Sequence, residues 1–326
     1  MSVSWLVPVR DGRPWLRACL ESILHECGPD DQVVVVDDGS RDKPEEVCPN
    51  DSRITWVQQG PLGIVAALET GRLLCRHALI ARVDADDLVI PGRIEAQRAL
   101  LVANDRLAVV GGQAFMVGDH GRGNAGMRAY VDWVNGLPDL RAAILTESPL
   151  FHPAVLMRAA ALDEVGGYHQ GDFPEDYDLW LRLVGAGFEL ASVKVPVVCL
   201  RDHGTRLTRT DTRYRRAAFD GLKKRWMREH LLADLRRVGV WGAGKTGRHW
   251  LRWLLAEGVD VVAVVDPFGA TERQGVTVFS PLSLRDMELD QMFVAVGARG
   301  ARALIRRHLE ALKPTWIEGR DWWALA

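Results

Sequence analysis

The sequence has few cysteines, little net charge and no long apolar run, and each of these absences excludes a class of protein. Its 326 residues include five cysteines without a Cys-x-x-Cys pair, which argues against a zinc knuckle or a disulfide framework. No apolar run approaches the ~18 residues of a membrane-spanning helix, and residues 1–9 lack the pattern of a signal peptide. The net charge of −2 argues against general affinity for nucleic acid. We therefore expect a cytoplasmic protein with reduced thiols.

Apolar runs of strand length alternate with helical patterns along the chain. The predicted strands are residues 3–9, 32–37, 54–58, 79–83 and 107–117. The predicted helices between them are residues 14–26, 62–77 and 92–104, the last with Pro91 at its first position. Repeated units of this length predict an α/β fold with a doubly wound, mostly parallel sheet. A new strand–helix series after residue 237 predicts a second α/β domain, which gives domains 1–235 and 236–326.

Polar clusters follow three of the predicted strands, at Arg10-Asp11, at residues 37–40 and at residues 84–87. Because ligands of such sheets bind beyond the carboxyl ends of the strands, we expect these clusters to share one crevice. Asp84 and Asp86 are two residues apart, so in an extended strand they face the same side. Two carboxylates there suit a hard divalent cation that also holds phosphate oxygens. The alternative interpretation is a polar loop after a buried strand.

Further motifs follow these clusters in a fixed order. They are His152-Pro153-Ala154, Gly166-Gly167-Tyr168, Glu175-Asp176-Tyr177-Asp178-Leu179-Trp180-Leu181-Arg182 and Arg201-Asp202-His203. Together with Val7-Pro8-Val9-Arg10-Asp11, Asp37-Asp38-Gly39-Ser40 and Asp84-Ala85-Asp86-Asp87, this order resembles family 2 glycosyltransferases, over about residues 2–212. The resemblance implies a GT-A fold and an inverting transfer from a nucleotide-sugar donor.

The resemblance also assigns residues to the donor and the metal. The implied donor-binding residues are Pro8, Val9, Arg10, Asp11, Asp38, Arg82 and Asp84. The implied ligands of a Mn²⁺ or Mg²⁺ ion are Asp86 and His203. Asp38 can accept a hydrogen bond from a uracil or guanine N–H, although Asp-Gly-Ser is also good turn chemistry. Arg206 and Arg209 would clamp the same phosphates when the segment closes, whereas a structural role is the alternative for His203.

Asp176 is the candidate general base, and Glu175 is the second carboxylate of its motif. The resemblance implies that Asp176 deprotonates the acceptor hydroxyl, and the helix dipole is expected to keep it ionised. Helix capping after Pro174 is the alternative interpretation of both acids. For Trp180, packing in the core is expected ahead of stacking on a sugar ring. His152 is a candidate for a position near the acceptor. Glu69 stands where the family often has Asn.

The implied partners are a nucleotide sugar and a saccharide or lipid-linked acceptor, in synthesis of a surface polysaccharide or glycoconjugate at the inner face of the membrane. The basic segment 205–237 has two interpretations, a solvated helix face or peripheral contact with a membrane. A sugar-phosphate nucleotidyltransferase is disfavoured because Pro8-Val9-Arg10-Asp11-Gly12 is not a long glycine-rich loop. An NAD(P)-dependent oxidoreductase and a nucleotide-sensing binding protein remain as alternatives that depend on the second domain.

The second domain contains a glycine-rich turn between a predicted strand and helix. Gly242, Gly244 and Gly247, with Asp266 after the next strand, fit the Rossmann pattern for a nucleotide. Gly239, Gly244 and Lys245 also fit a phosphate-loop pattern, which requires Gly239 to lie in the loop. Residues 259–265, 294–297 and 316–321 are the other predicted strands. The region resembles the nucleotide-binding-like domain of some bacterial glycosyltransferases, where binding and helix–strand packing both explain the glycines.

Overall fold

The computed structural model describes residues 1–118, 125–268, 271–298 and 300–326. These residues form two compact units. The first unit comprises Met1–Leu140 and Pro149–Leu222, and the second comprises Arg141–Ser148 and Lys223–Ala326. The functional division into domains 1–235 and 236–326 stays a prediction. Within the described residues, no helix has both the length and the hydropathy required to cross a membrane.

The first unit is built on an eight-stranded sheet with the order β3-β2-β1-β4-β7-β6-β8-β5. Its strands are β1 Val3–Val9, β2 Gln32–Asp38, β3 Ile54–Gln59, β4 Leu79–Arg82, β5 Leu88–Val89, β6 Leu107–Gly118, β7 Leu156–Arg158 and β8 Glu189–Asp202. β1 is parallel to β2 and β4, and β2 is parallel to β3. β7 is antiparallel to β4 and β6, and β5 is antiparallel to β8. The predicted α/β, mostly parallel sheet is therefore confirmed.

Helices cover both faces of this sheet, which explains why every residue of β1 and β2 is buried. The helices that begin in this unit are α1 Arg13–Glu26, α2 Ile64–Leu74, α3 Arg93–Ala103, α4 Ala125–Asn135, α5 Leu140–Ala143, α6 Ala159–Glu164, α7 Glu175–Gly185, α8 Leu207–Thr210 and α9 Arg216–His230. Helix α1 shows the sequence logic, because Leu16, Cys19, Leu20 and Ile23 all lie on its buried face. The predicted amphipathic spacing thus corresponds to real packing.

The start of α3 differs from the prediction, because Pro91 lies before the helix and not at its first position. Gly92 is the N-cap and has φ of 83°, a conformation that favours glycine. Glu26, at the end of α1, accepts hydrogen bonds from the backbone N–H groups of Gly92 and Ile94. A contact between two helices therefore sets this boundary, and local sequence patterns do not reveal such contacts.

The second unit contains a six-stranded sheet with the order β11-β12-β10-β9-β13-β14. Its strands are β9 Val238–Trp241, β10 Val261–Val265, β11 Glu272–Arg273, β12 Val276–Phe279, β13 Gln291–Val294 and β14 Trp322–Ala324, and its two further helices are α10 Lys245–Ala256 and α11 Ala301–Leu312. The predicted strands 294–297 and 316–321 are wrong. The true last strand is β14, because Asp321 accepts the Ile317 N–H and Gly319 has φ of 81°, which makes residues 317–321 a turn.

Residues 141–148 and the end of the chain are joined within the second unit. Lys223, which is buried, donates from Nζ to the carbonyl oxygens of Thr146 at 2.7 Å and Leu325 at 3.3 Å. The Thr146 hydroxyl donates to the Ala324 carbonyl at 3.1 Å. A solvated face is therefore the wrong interpretation for Lys223, although Arg216 and Arg228 of α9 are exposed.

Candidate active site

One cavity of about 670 Å³ lies in the first unit, at the edge where β1, β2 and β4 end. Arg206 lines this cavity and Arg209 does not. The lining also includes the implied donor, metal and catalytic residues of this unit: Pro8, Val9, Arg10, Asp11, Asp38, Arg82, Asp84, Asp86, Glu175, Asp176 and His203. β8 also ends at this edge, because β7 is antiparallel to both β4 and β6 and β8 is parallel to β6. The topology alone thus brings these separate segments together.

Three carboxylates, those of Asp84, Asp86 and Asp87, have ligand oxygens within 4.8 Å of one another. Asp86 Oδ2 lies 2.6 Å from Nε2 of His203. Burial alone would raise the pKa of Asp86, but the hydrogen bond from His203 and the charge of Arg206 outweigh burial and lower it. The carboxylates and the imidazole nitrogen are ligands that Mn²⁺ or Mg²⁺ accepts, so the residues fit a divalent cation.

His203 is held in place on both ring nitrogens and on one ring face. Its Nδ1 lies 2.8 Å from the Thr205 hydroxyl, and the Trp15 ring stacks on it with centroids 4.2 Å apart. Sequence reasoning did not identify Trp15, since an aromatic residue at the start of a helix usually indicates core packing. Its place three residues after Gly12, which also lines the cavity, was the available signal.

Arg206 lies on the acidic cluster in this conformation. Its Nη2 is 3.5 Å from a carboxylate oxygen of Asp84 and of Asp87, and its Nη1 donates to the Arg201 carbonyl. Burial raises the pKa of Asp87 well above its usual range, and Arg206 opposes that effect. Arg209 is paired with Asp202. The guanidinium of Arg206 therefore offsets the mutual repulsion of the carboxylates, and the predicted clamp on phosphates stays a prediction.

Arg82 is a buried cation with unused hydrogen-bond donors. Only 3% of its surface is exposed, and its Nη2 lies 2.6 Å from Asp84 Oδ1. Its Nε and Nη1 groups are buried and have no hydrogen-bond partner among the described residues. Because an unpaired buried donor is costly, these two groups indicate where an oxygen atom of a ligand would bind.

Asp38 and Asp11 hold the loops that border the cavity. Asp38 accepts hydrogen bonds from the Gln59 side chain and from the backbone N–H groups of Leu62 and Gly63, at 2.8 to 2.9 Å. Arg10 Nη1 is 3.6 Å from its Oδ2. Asp11 accepts the Arg41 N–H at 2.7 Å. Asp38 thus holds residues 59–63, while the local turn is closed by Asp37, which accepts the Ser40 N–H at 2.9 Å. The contact of Asp38 with a base stays a prediction.

The Glu175–Asp176 pair opens α7, directly after Pro174. Burial, followed by the charge of Glu175, raises the pKa of Asp176 to about 7. Burial therefore outweighs the helix dipole that was expected to keep this carboxylate ionised. Glu175 is 3% exposed, and the Tyr214 hydroxyl donates to its Oε2 at 2.9 Å. No family motif marked Tyr214, so the sequence offered no signal for this contact.

Three other residues named from the sequence, His152, Trp180 and Glu69, are packed against or bonded to other residues of the fold. His152 Nε2 lies 2.8 Å from the Tyr168 hydroxyl, and burial lowers the pKa of His152 well below its usual range. Trp180 is fully buried, so core packing is confirmed and stacking on a sugar is wrong. Glu69 accepts the Tyr168 N–H and pairs with Arg72, which fixes the Gly166-Gly167-Tyr168 turn. Glu69, which stands where the family often has Asn, therefore stabilises this turn.

In the second unit, the phosphate-loop interpretation is wrong, because Gly239 lies inside β9. Gly244 is the N-cap of α10, and a Cβ at Gly247 would lie 1.7 Å from the Gly242 carbonyl oxygen. Asp266 accepts backbone N–H groups with both oxygens, from Ala243 at 2.7 Å and from Phe268 at 2.9 Å. Gly242 and Gly247 thus serve close packing, whereas a Cβ at Gly244 would meet nothing within 4 Å. A nucleotide at Gly242, Gly244, Gly247 and Asp266 stays a prediction.

Comparisons with known proteins find relatives among the glycosyltransferases. Residues 4–165 match the family model described as glycosyl transferase family 2. The amylovoran biosynthesis glycosyltransferase AmsE of Erwinia amylovora is 27% identical over 191 residues, which cover 55% of this chain and 67% of AmsE. An Escherichia coli UDP-Gal:alpha-D-GlcNAc-diphosphoundecaprenol beta-1,3-galactosyltransferase is 25% identical over 205 residues, covering 61% of this chain and 73% of that protein.

A solved structure shares the fold. The crystal structure of S. aureus TarS 1-349 superposes with a TM-score of 0.54 at 18% identity, covering 72% of this chain and 67% of TarS 1-349. The sheet of the first unit therefore has the GT-A architecture, and the oxidoreductase alternative is not favoured. The protein is a glycosyltransferase that carries a family 2 glycosyltransferase domain.

Proposed function

We propose that the protein transfers a sugar, with inversion, from a nucleoside diphosphate sugar to a hydroxyl group of a saccharide acceptor, including one linked to a lipid. The relatives support this proposal by name, since one acts in amylovoran biosynthesis and another transfers galactose to a diphosphoundecaprenol-linked sugar. The observation that carries it is a single cavity lined by the acidic cluster, by His203 and by the Glu175–Asp176 pair. Assembly of a surface polysaccharide at the inner face of the membrane is the corresponding setting.

The donor's diphosphate would bind beside the acidic cluster. Asp84, Asp86 and His203 would hold the divalent cation, with Asp87 behind them accepting the Arg201 N–H at 2.8 Å. When bound, the ion neutralises the diphosphate and stabilises the leaving nucleoside diphosphate as a Lewis acid. Arg82 would donate from Nε and Nη1 to an oxygen of the donor, which supplies the partners that these groups lack.

Asp176 would accept the proton of the acceptor hydroxyl as that oxygen attacks the anomeric carbon. The new glycosidic bond forms while the bond from that carbon to the diphosphate oxygen breaks, and both electrons leave with the diphosphate. Attack from the face opposite the leaving group inverts the configuration. A base with a pKa of about 7 suits this step, because it is partly ionised at neutral pH and still binds a proton well.

A thermal-shift panel of UDP-glucose, UDP-galactose, UDP-N-acetylglucosamine and GDP-mannose, with and without Mn²⁺, tests the proposal first. We expect stabilisation by at least one of these donors, and a larger stabilisation with Mn²⁺. Nucleoside diphosphate release is then measured with that donor in Asp176→Asn and in the matched control Asp172→Asn, which changes an exposed acid in the loop just before α7. Loss of transfer only in Asp176→Asn supports the proposal. Wild-type transfer in Asp176→Asn would remove Asp176 as the base.

A further inference from the structure

Tyr214 lies on the cavity wall and contacts the second carboxylate of the catalytic pair. Its hydroxyl donates to both oxygens of Glu175, at 2.9 Å and 3.1 Å. His152 is also near Glu175, but its Nδ1 is 3.8 Å away, beyond hydrogen-bond distance. His152 is already bonded through Nε2 to Tyr168. Tyr214 therefore supplies a side-chain hydrogen bond to the buried Glu175 carboxylate.

The backbone around Tyr214 holds this hydroxyl in place. Tyr214 ends a short 3-10 turn, Thr212–Tyr214, whose N-cap Asp211 accepts the Arg213 N–H. Asp211 Oδ2 is also 3.0 Å from Arg213 Nε. The turn follows the segment in which His203 contacts Asp86. One stretch of chain thus contacts the acidic cluster at one end and the catalytic pair at the other.

We propose that Tyr214 is a positioning residue, which holds Glu175 ionised beside Asp176 and so maintains Asp176 as a strong base. This inference rests on the proposed role of Asp176. Burial raises the pKa of Glu175, and the hydrogen bond from the Tyr214 hydroxyl opposes that rise because it stabilises the charged carboxylate. The negative charge of Glu175 in turn raises the proton affinity of Asp176. Tyr214 acts on the base through Glu175 and has no direct contact with the reacting atoms in this mechanism.

The pair also has charged and titratable neighbours from other elements, and these remain in a Tyr214 variant. They are Arg82 at the end of β4, Arg213 of the 3-10 turn, His152 before β7 and Tyr168 before α7. In Tyr214→Phe, Glu175 loses a hydrogen bond to its charged form, so its midpoint should rise by about one pH unit. Asp176 then titrates beside a Glu175 that carries less negative charge, so the midpoint of Asp176 should fall.

The test is a ¹³C NMR titration of the unliganded protein labelled at aspartate Cγ, with the Asp176 signal assigned by its loss in Asp176→Asn. We expect a wild-type midpoint near 7 and a lower midpoint in Tyr214→Phe. The matched control is Arg215→Gln, which changes the exposed neighbouring residue and should leave the midpoint unchanged. An unchanged midpoint in folded Tyr214→Phe would overturn the inference.

A second variant covers the case in which Tyr214→Phe does not fold. Glu175→Gln removes the charge directly, so it should also lower the Asp176 midpoint, and adding Tyr214→Phe to it should cause no further change. A further fall in the double variant, or an unchanged midpoint in Glu175→Gln, would contradict action through Glu175. The titration needs no substrate, so its outcome is separate from the outcome for the proposed function. Full transfer by Asp176→Asn would overturn only the catalytic assignment of Asp176.

Discussion

At the scale of single residues, two carboxylates in one cavity have opposite environments. His203 and Arg206 lower the pKa of Asp86 despite its burial, which suits a permanently charged ligand. Burial and Glu175 raise the pKa of Asp176 to about 7, which suits a group that gains and loses a proton. When two acids in one site have pKa values that differ in this way, their roles differ as well. This contrast is the physical basis for separating donor binding from proton transfer.

The first prediction concerns the pH dependence of transfer. Asp176 must be ionised to accept a proton, and its pKa is raised to about 7, so activity is lost as the pH falls through that value. We expect kcat/KM for the acceptor to fall about tenfold per pH unit below the midpoint. Initial rates between pH 5 and 8, at saturating donor, measure this acidic side of the pH profile. A flat profile down to pH 5 would show that a group with an ordinary carboxylate pKa is the base.

The second prediction concerns the unpaired donors of Arg82. Arg82→Lys keeps the positive charge beside Asp84 but removes the Nε and Nη1 groups that lack a partner. We expect a folded protein whose kcat/KM for the donor falls about tenfold or more, the loss of one charge-assisted hydrogen bond. Arg98→Lys, a change at an arginine outside the cavity lining, is the control. Wild-type donor kinetics in Arg82→Lys would show that these donors do not contact the donor sugar nucleotide.

At the scale of helices and strands, the sequence predicted what periodicity and strand ends determine. The buried face of α1, the valine run of β2 and the convergence of Arg82, Asp84 and Asp38 follow from patterns that one segment or one sheet rule contains. The sequence patterns did not predict the boundaries of helices and strands that are set by contacts between distant residues. Glu26 sets the start of α3, and the last strand lies beyond the turn that Asp321 forms.

Prediction of the site from the sequence is limited in the same way. Motifs located the carboxylates, but the pKa of Asp176 depends on burial that only the assembled fold creates. Trp15 and Tyr214 act by contacting residues far away in sequence, His203 and Glu175, and neither lies in a recognisable motif. Residues that support a functional group through one tertiary contact are therefore the part of a site that sequence reasoning misses.

The third prediction concerns the glycine-rich turn of the second unit. In Gly247→Ala the new Cβ would meet the Gly242 carbonyl oxygen at 1.7 Å, so the start of α10 must move away from β9. We expect the free energy of unfolding to fall by about 3 kcal/mol or more. The matched control is Gly244→Ala, because Gly244 has φ of −76° and its Cβ would meet nothing within 4 Å. Calorimetric unfolding compares the two. Equal stability of both variants would contradict the packing role of Gly247.

At the scale of the whole molecule, the compact units do not correspond to two uninterrupted stretches of sequence. Residues 141–148 lie within the sequence of the first unit but belong to the second, where Lys223 and Thr146 bind backbone oxygens near the chain's end. Dividing the chain at one position therefore separates residues 141–148 from the residues that they contact. The sequence predicted one boundary because periodicity does not show which unit a short connecting segment joins.

The fourth prediction follows for the truncated chain 1–235. It keeps residues 141–148 but loses Ala324 and Leu325, whose carbonyl oxygens accept hydrogen bonds from Thr146 and Lys223. Trp226 also loses its edge-on contact with Trp323. We expect a lower Tm and lower soluble yield than for the full chain, with the single change Thr146→Val as a mild control. A truncated chain that matches the full chain in both measurements would show that the first unit folds independently of these contacts.

Calorimetric titration with Mn²⁺ and the sugar nucleotide that the thermal-shift panel selects tests directly whether the two carboxylate groups have separate roles. We expect Asp176→Asn to bind this donor with a Kd close to that of the wild type. Asp86→Ala should weaken binding at least tenfold, because Asp86 is a proposed ligand of the cation and Asp176 is not. Equal binding by Asp86→Ala and wild type, or a comparable loss in Asp176→Asn, would contradict these separate roles.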